Sequence, residues 1–227
     1  MKINYINHSS FLLEEEGFYI LFDYFDGELP DINKNKKLYV MASHSHRDHF
    51  DKIVFDIFKG YNVEYILSRD IYKKYKIEQP NISYVYANKD YENRDFKFTT
   101  LKSTDLGVAF LINVKDKYIY HSGDLHNWAW FGESKAWNNN MEANFKREIE
   151  KLKDINIFTA FLPLDPRQED WYYKGMEYTL KNVNIKYAFP MHSWGEYSII
   201  QKYVDEGHFV GNTNIIRVSD TNNFWEV

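Results

Sequence analysis

The segment that most constrains this chain is His44-Ser45-His46-Arg47-Asp48-His49, four metal-ligating side chains within six residues, directly after the apolar strand candidate Lys37–Met41. In an extended strand end, residues two apart project to one face, so His44 and His46 can hold one ion together. The chain must then turn, which frees Asp48 and His49 to aim at a neighbouring position. Imidazole and carboxylate suit zinc, and also manganese or iron. The competing reading is a solvated polar loop. Three of the eight histidines crowd into this one segment, which a solvated loop does not require.

Composition narrows the chemistry further. The 227 residues include no cysteine, which removes disulfides, zinc ribbons, iron–sulfur clusters and thiol nucleophiles. Metal chemistry must therefore rest on histidine and carboxylates. The balance of 28 basic and 33 acidic residues gives a net charge of −5 with no long block of either sign, and a nucleic-acid binder usually carries a basic face. The amino terminus lacks the apolar run of a signal peptide, and the apolar stretches are strand-sized, well short of the roughly 20 residues that span a bilayer. The expectation is a cytoplasmic protein with a small-molecule substrate and neither nucleic acid nor membrane as partner; self-association into a homo-oligomer stays open. The length suits one domain over residues 1–227. The aromatic fraction of 19% is high and by itself does not separate core from function.

Strand patterns cover Lys2–Ile6, Phe11–Glu15, Phe18–Phe22, Lys37–Met41, residues 65–67, Ser83–Tyr86, Phe96–Leu101, Gly107–Val114 and Tyr118–His121, with Lys115-Asp116-Lys117 as a tight hairpin turn. Helices are predicted over Asp51–Lys59, Arg69–Tyr75, Asn140–Lys153, Gly175–Lys181 and Ser198–Val204, with Asn138-Asn139-Asn140 as a turn and N-cap region. Strands over Ile155–Leu162, Ile185–Phe189, Ile215–Val218 and Phe224–Val227 complete the reading. Two β-rich halves, each followed by helices, imply two packed sheets with helices outside.

With these elements in place, His44-x-His46-x-Asp48-His49 resembles the HxHxDH signature of the metallo-β-lactamase superfamily. Asn7-His8-Ser9-Ser10-Phe11 and Ile20-Leu21-Phe22-Asp23 resemble the opening strands of the branch that includes ascorbate-phosphate lactonase. Tyr120-His121-Ser122-Gly123-Asp124 resembles the strand end that supplies a metal-bridging carboxylate, and Phe189-Pro190-Met191-His192 the late strand end that completes the second metal site. The resemblance covers roughly residues 3–195 and implies an α/β fold, a four-layer αβ/βα sandwich of two mixed β-sheets with outer helices. It implies one or two ions, Zn2+ or Mn2+, at the edge between the sheets. His44 and His46 would hold the first, Asp48, His49 and His192 the second, and Asp124 would be shared.

One ligand departs from the family pattern. The first site normally takes a third histidine, yet no histidine occurs from Phe50 to Tyr120. At the matching stretch, Leu101-Lys102-Ser103-Thr104-Asp105-Leu106-Gly107, Asp105 can substitute as a carboxylate ligand, or Ser103 or Thr104 can stand there with water.

Other residues compete for roles. His8 either points into the site or is a hydrogen-bonded strand-end histidine. His121 is expected behind the ligands or in the core. His126 is a candidate ligand, acid or surface residue, and His208 lies in a polar turn and is expected to be exposed. In Leu162-Pro163-Leu164-Asp165-Pro166-Arg167, two prolines fix the backbone around one acid and one base. Asp165 is a candidate ligand or proton shuttle and Arg167 an anion contact; the alternative is a helix cap with a local salt bridge. Trp128-Ala129-Trp130-Phe131, with Trp137 beyond, reads as either a wall over the cleft or a hydrophobic plug, packing being favoured.

The chemistry implied is hydrolysis of an ester, lactone, amide or phosphodiester by a water made acidic on the ion, with Asp48, His126 and Asp165 as the candidate catalytic groups. Asp48 can orient that water and receive its proton. No Gly-x-Ser-x-Gly elbow occurs, which disfavours a serine acyl enzyme. Superfamily members that reduce dioxygen with a flavin partner carry Glu where His46 stands. The remaining alternative is a non-catalytic binding protein with a degenerate metal site.

Overall fold

A computed structural model describes residues 1–208 and 211–227. The first half of the chain builds β1 (Lys2–Asn7), β2 (Ser10–Glu14), β3 (Phe18–Phe22), β4 (Lys37–Ala42), α1 (Ile53–Ile57), β5 (Val63–Ser68), α2 (Arg69–Tyr75) and β6 (Ile82–Val85). The second half adds β7 (Asp90–Glu92), β8 (Lys97–Lys102), β9 (Val108–Val114), β10 (Lys117–His121), α3 (Lys135–Ile149), β11 (Ile157–Pro163), α4 (Lys174–Asn182), β12 (Ile185–Met191), α5 (Ser198–Asp205), β13 (Asn214–Ile215) and β14 (Phe224–Glu226). The sheets are seven-stranded, in the orders β14-β1-β2-β3-β4-β5-β6 and β13-β12-β11-β10-β9-β8-β7. Each is mixed: β1 to β3 pair antiparallel and β3 to β6 parallel, while β7 to β10 pair antiparallel and β10 to β13 parallel. The result is the expected four-layer αβ/βα sandwich.

Period-two patterning explains the layers. In β3 and β4, Phe18, Ile20, Phe22, Tyr39 and Met41 enter the core between the sheets, whereas Tyr19, Leu21, Leu38 and Val40 join Val54, Phe58 and Ile71 under α1 and α2. Both faces are therefore buried, which is why these strands read as unbroken apolar runs. Across the sandwich, the rings of Phe11 and Phe22 lie 4.4 and 5.9 Å from that of Phe161 in β11. Burying each such ring contributes about 1.5–3 kcal/mol, so much of the aromatic excess is core.

Several local expectations are corrected. Helix α3 starts at Lys135, five residues before the predicted start, because Ser134 is its N-cap and accepts from the Trp137 amide at 3.2 Å. Asn138, predicted as turn and cap, instead uses its side chain on Trp130: Oδ1 accepts from the Trp130 N–H (2.9 Å) and Nδ2 donates to the Trp130 carbonyl (2.8 Å). Residues Pro166–Trp171 form a 3₁₀ turn capped by Asp165, and β7 was not foreseen. The predicted strand over Ile215–Val218 contracts to Asn214–Ile215. His208 is half-buried, stacked on Tyr173 at 3.6 Å.

The functionally important consequence of this topology is an edge. The carboxyl ends of β3, β4, β8, β10, β11 and β12 and the turn after β1 all deliver polar side chains to one side of the sandwich.

Candidate metal centre

After β4 the chain tightens into a turn in which the amides of His49 and Phe50 both donate to the His46 carbonyl, at 3.1 and 3.0 Å. That turn swings Asp48 and His49 back beside His44. From below, α2 clamps it: the Ser45 amide donates to Asp70 Oδ2 (2.7 Å) and Lys74 Nζ to the Ser45 carbonyl (2.7 Å). The second sheet closes against Ser43 through two glycines in the left-handed region. A Cβ on Gly107 (φ +69°) would stand 2.0 Å from the Ser43 carbonyl oxygen, and one on Gly123 (φ +48°) 2.6 Å from Ser43 Cβ. No other residue type permits this approach, and it is what brings Asp105 and Asp124 to the histidines.

The donor atoms fall into two groups, each with all members within 4.8 Å of one another. In the first, His44 Nε2 lies 3.0 Å from His46 Nδ1 and 3.4 Å from Asp124 Oδ2, and His46 Nδ1 lies 3.3 Å from Asp105 Oδ2. In the second, Asp48 Oδ2 lies 3.3 Å from His8 Nε2, 3.8 Å from His49 Nε2 and 3.7 Å from His192 Nε2. Asp124 joins the groups, because its Oδ1 lies 3.1 Å from His49 Nε2 and 3.5 Å from His192 Nε2. Asp105 thus joins the first donor group and His8 the second.

These residues fit metal ions. Two donors bound to one ion at about 2.05 Å stand roughly 2.9–3.4 Å apart at octahedral or tetrahedral angles, close to the separations observed. Four of the donors, His8 Nε2, His49 Nε2, His192 Nε2 and Asp124 Oδ1, are buried without a directed hydrogen bond. Orphaned buried polar atoms are costly unless something else satisfies them, and these four point at one another.

Behind the donors lies a set of groups that fixes each ring. His49 Nδ1–H donates to Asp23 Oδ2 at 2.8 Å. Ser43 Oγ donates to the same oxygen at 2.7 Å and stands 3.0 Å from His44 Nδ1, from which it accepts in turn. His192 Nδ1–H donates to Asp165 Oδ2 at 2.9 Å. With Nδ1 committed in this way, Nε2 is the atom that each ring turns to the cleft, an arrangement that orients ligands and raises their basicity. The Arg167 guanidinium grips Asp165 through Nε (2.9 and 3.0 Å) and Nη2 (2.5 Å). Backbone strain gathers here too: His8, Asp23, His192 and Trp194 all have positive φ, a conformation that costs non-glycine residues about 1–2 kcal/mol each.

Electrostatics follow from this crowding. Burial pushes the imidazoles of His8 and His44 down to about 4, so both stand neutral near pH 7 with lone pairs free. Burial works against protonation of His49 as well, but Asp124 and Asp23 outweigh it and hold this group well above its ordinary value. Burial likewise opposes ionised Asp124, and the surrounding imidazoles of His49, His192 and His44 reverse that and hold its carboxyl well below the usual range. Asp48 is lowered by His8, His49 and His192 against its own burial. Burial, reinforced by Asp124, raises Asp105.

Two of the predicted catalytic residues are placed elsewhere. Asp165 is fully buried behind His192 and salt-bridged to Arg167, so it positions a ring and cannot reach substrate as a ligand or shuttle. His126 is also buried. Its Nε2–H donates to Gln168 Oε1 at 2.8 Å, and its ring packs so closely on α4 that a Cβ at Gly175 would overlap it at 2.2 Å. Gln168, so oriented, donates to the carbonyls of Asn127 (2.8 Å) and Ala129 (3.1 Å). His126 therefore supports the aromatic loop. Sequence reasoning assigned no role to Asp23 or Ser43; the only signal was a polar pair ending two apolar strands. His121 lies in the core, stacked on Phe22 at 4.6 Å.

Above the donors opens a cavity of about 420 Å³, within the range of small-molecule sites. His46, Asp48, Asp105, Asp124 and His192 face into it, and indoles and Arg167 form its walls.

A sequence profile described as the beta-lactamase superfamily domain matches residues 2–135. No curated protein matches the sequence. Among solved structures, Igni18, a metallo hydrolase from the hyperthermophilic archaeon Ignicoccus hospitalis, is 16% identical, with 100% of this chain and 98% of that one covered and a TM-score of 0.69. YhfI, a metallo-beta-lactamase fold protein from Bacillus subtilis, is 12% identical over 99% of this chain and 98% of its own, with a TM-score of 0.62. CmlA, a diiron beta-hydroxylase from Streptomyces venezuelae, is 8% identical, covering 96% of this chain and 52% of that one, with a TM-score of 0.62. At these identities the likeness is one of fold.

Proposed function

This chain belongs to the beta-lactamase superfamily, and from that membership we propose that it is a metal-dependent hydrolase acting on a small ester, lactone or phosphodiester. The observation that carries the reading is the pair of donor groups joined through Asp124 at the floor of an open cavity. His44, His46, Asp105 and Asp124 would hold one ion, and His8, Asp48, His49 and His192 the other, with Asp124 between them. Zinc or manganese suits this mixture of imidazole and carboxylate. Such ions supply Lewis acidity and make water nucleophilic near neutral pH.

The protein's own groups do the rest. Asp48, about a quarter exposed and facing the cavity, is the carboxylate placed to orient the attacking water and receive its proton. Asp165 and Asp23 hold the His192 and His49 rings still through the reaction. The indole walls restrict water around the scissile bond.

Metal analysis of protein purified without chelator tests the reading, together with a panel of lactones, esters, thioesters and phosphodiesters. One to two equivalents of zinc or manganese and turnover of at least one substrate class are expected. Less than a tenth of an equivalent, without recovery on metal addition, refutes it. Iron, with oxygen uptake in place of hydrolysis, would instead align the chain with the diiron chemistry named for CmlA.

A further inference from the structure

The walls of the cavity are as specific as its floor. Trp128, Trp130 and Trp137 line one side and Trp194 another, four of the six tryptophans in the chain. Three features hold Trp128 and Trp130 in place. Trp128 Nε1–H donates to the Asp124 carbonyl at 2.9 Å, which ties that indole directly to the shared carboxylate residue. The Trp130 backbone is held in both directions by the Asn138 side chain. Thr104 Oγ1 donates to the His126 carbonyl (2.6 Å) and accepts from the His126 amide (3.0 Å), while Gln168 grips the loop at Asn127 and Ala129.

The indole planes of Trp128 and Trp130 are stacked, 9° from parallel with centroids 6.0 Å apart, too close to admit a third ring between them. That wall begins at the metal-ligating residues themselves: the Trp128 ring lies 5.3 Å and the Trp194 ring 5.6 Å from the His192 ring.

Charge in the cavity is equally selective. Arg167 is the one cationic side chain other than histidine among the described residues that line it. Asp165 occupies its Nε and Nη2, and its guanidinium stacks 4.4 Å over Trp194. Beyond the ions that the floor would hold, a polyanion such as a nucleotide or sugar phosphate would find Arg167 alone, already paired with Asp165, among the indole walls. A flat π system meets indole there, most openly at Trp137 and Trp194, which are 37% and 47% exposed.

We propose that these indoles form a subsite for an aromatic ring adjacent to the scissile bond, so that the substrate is a small aromatic ester or lactone, with Arg167 Nη1 donating to one of its oxygens. This rests on the hydrolase reading. Water's oxygen bonds to the acyl carbon as Asp48 takes one of its protons, the acyl C–O bond breaks, and the leaving oxygen receives that proton; the acid formed then ionises, so the products are an aromatic carboxylate, an alcohol and a proton. Offset or edge-to-face contact with an indole adds about 0.5–1.5 kcal/mol beyond area burial, so two such contacts give about a tenfold preference for an aromatic ring over a saturated one of the same size.

The test compares methyl benzoate with methyl cyclohexanecarboxylate, and phthalide with its hexahydro analogue, on zinc- and manganese-loaded protein. In parallel, binding of benzoate and cyclohexanecarboxylate is followed by indole fluorescence, which needs no turnover. We expect about tenfold higher kcat/KM and tighter binding for the aromatic member of each pair. The preference should shrink to within about twofold in Trp128→Leu, chiefly through KM. Trp137→Leu, a change at a partly exposed helix position that leaves the fold intact, should reduce it by about threefold.

Equal turnover of both members with equal binding overturns the aromatic subsite and leaves the hydrolase reading standing. Preferential benzoate binding without hydrolysis of any substrate supports the subsite and overturns the hydrolase reading. Neither turnover nor a binding preference overturns both.

Discussion

Asp23 Oδ2 accepts the Nδ1 proton of His49 at 2.8 Å, and neither side chain is exposed to solvent. The same oxygen accepts from Ser43 Oγ, which in turn faces His44 Nδ1, so one carboxylate sets the orientation of a histidine in each donor group. Burial works against its ionised form, and His121, His49 and His44 overcome this and hold the Asp23 carboxyl below its ordinary value.

Replacing Asp23 by Asn preserves shape and removes the charge. Metal affinity should fall about 10–100-fold, read by competition with a chromophoric chelator. An unchanged affinity would show that Asp23 contributes to folding alone.

The two donor groups differ in access. The His46 and Asp105 side chains are 44% and 38% exposed, whereas those of His8, His49 and His192 are nearly sealed. A chelator should therefore remove about one equivalent of metal quickly and a second at least tenfold more slowly. Asp105→Asn should speed only the fast phase and His8→Ala only the slow one, while Asp124→Ala abolishes both. A single phase in the unmodified protein contradicts this ordering.

Gly107 offers a steric test of how closely the sheets must approach. Gly107→Ala adds an αL penalty of about 1–2 kcal/mol to a Cβ that overlaps the Ser43 carbonyl, for a total of about 3 kcal/mol or more. The midpoint of thermal unfolding should drop by roughly 6–12 °C. Gly132→Ala, where a Cβ meets nothing within 4 Å, should leave it within about 2 °C of the parent.

His121 predicts a pH dependence in the metal-free protein. Its Nε2–H donates to the Ser9 carbonyl (3.0 Å) and its Nδ1 accepts from the Gly123 amide (3.2 Å), so a second ring proton would face an N–H. Burial lowers its pKa. The unfolded chain then binds the proton more readily than the folded one, and stability is lost as pH falls below the ordinary histidine value of about 6.5. In urea unfolding, His121→Gln should be less stable than the parent at pH 7, and the gap should narrow toward pH 5. A gap that stays constant would mean that the folded ring takes up a proton as readily as the unfolded one.

The parts of this site that could be read from sequence are the local ones. His44, His46, Asp48 and His49 announce themselves because the spacing of ligands along one strand end is a property of six consecutive residues. Asp124 and His192 were recognisable through their resemblance to ligand-bearing strand ends of the superfamily, and Asp105 through the gap it could fill in that pattern. What sequence does not encode locally is depth. Asp165 and His126 occupy strand-end positions as suggestive as that of Asp124, yet one passes behind His192 and the other packs against Gly175; only the register of β11 with β12 and the height of α4 decide this. Asp23 was missed for the same reason, since its partner is delivered by a different strand. The start of α3 was misplaced because Asn138 looks like a cap until Trp130 is found beside it.

Every donor group mixes the two halves of the sandwich. His8, His44, His46, Asp48 and His49 come from the first sheet, and Asp105, Asp124 and His192 from the second. An ion held by both works as a clasp that can close only after the halves have docked in register. Such an ion would bind the native chain and not the separated halves, so its free concentration would set how tightly the sandwich stays shut. The chemistry at the rim and the mechanical integrity of the fold would then answer to the same metal supply.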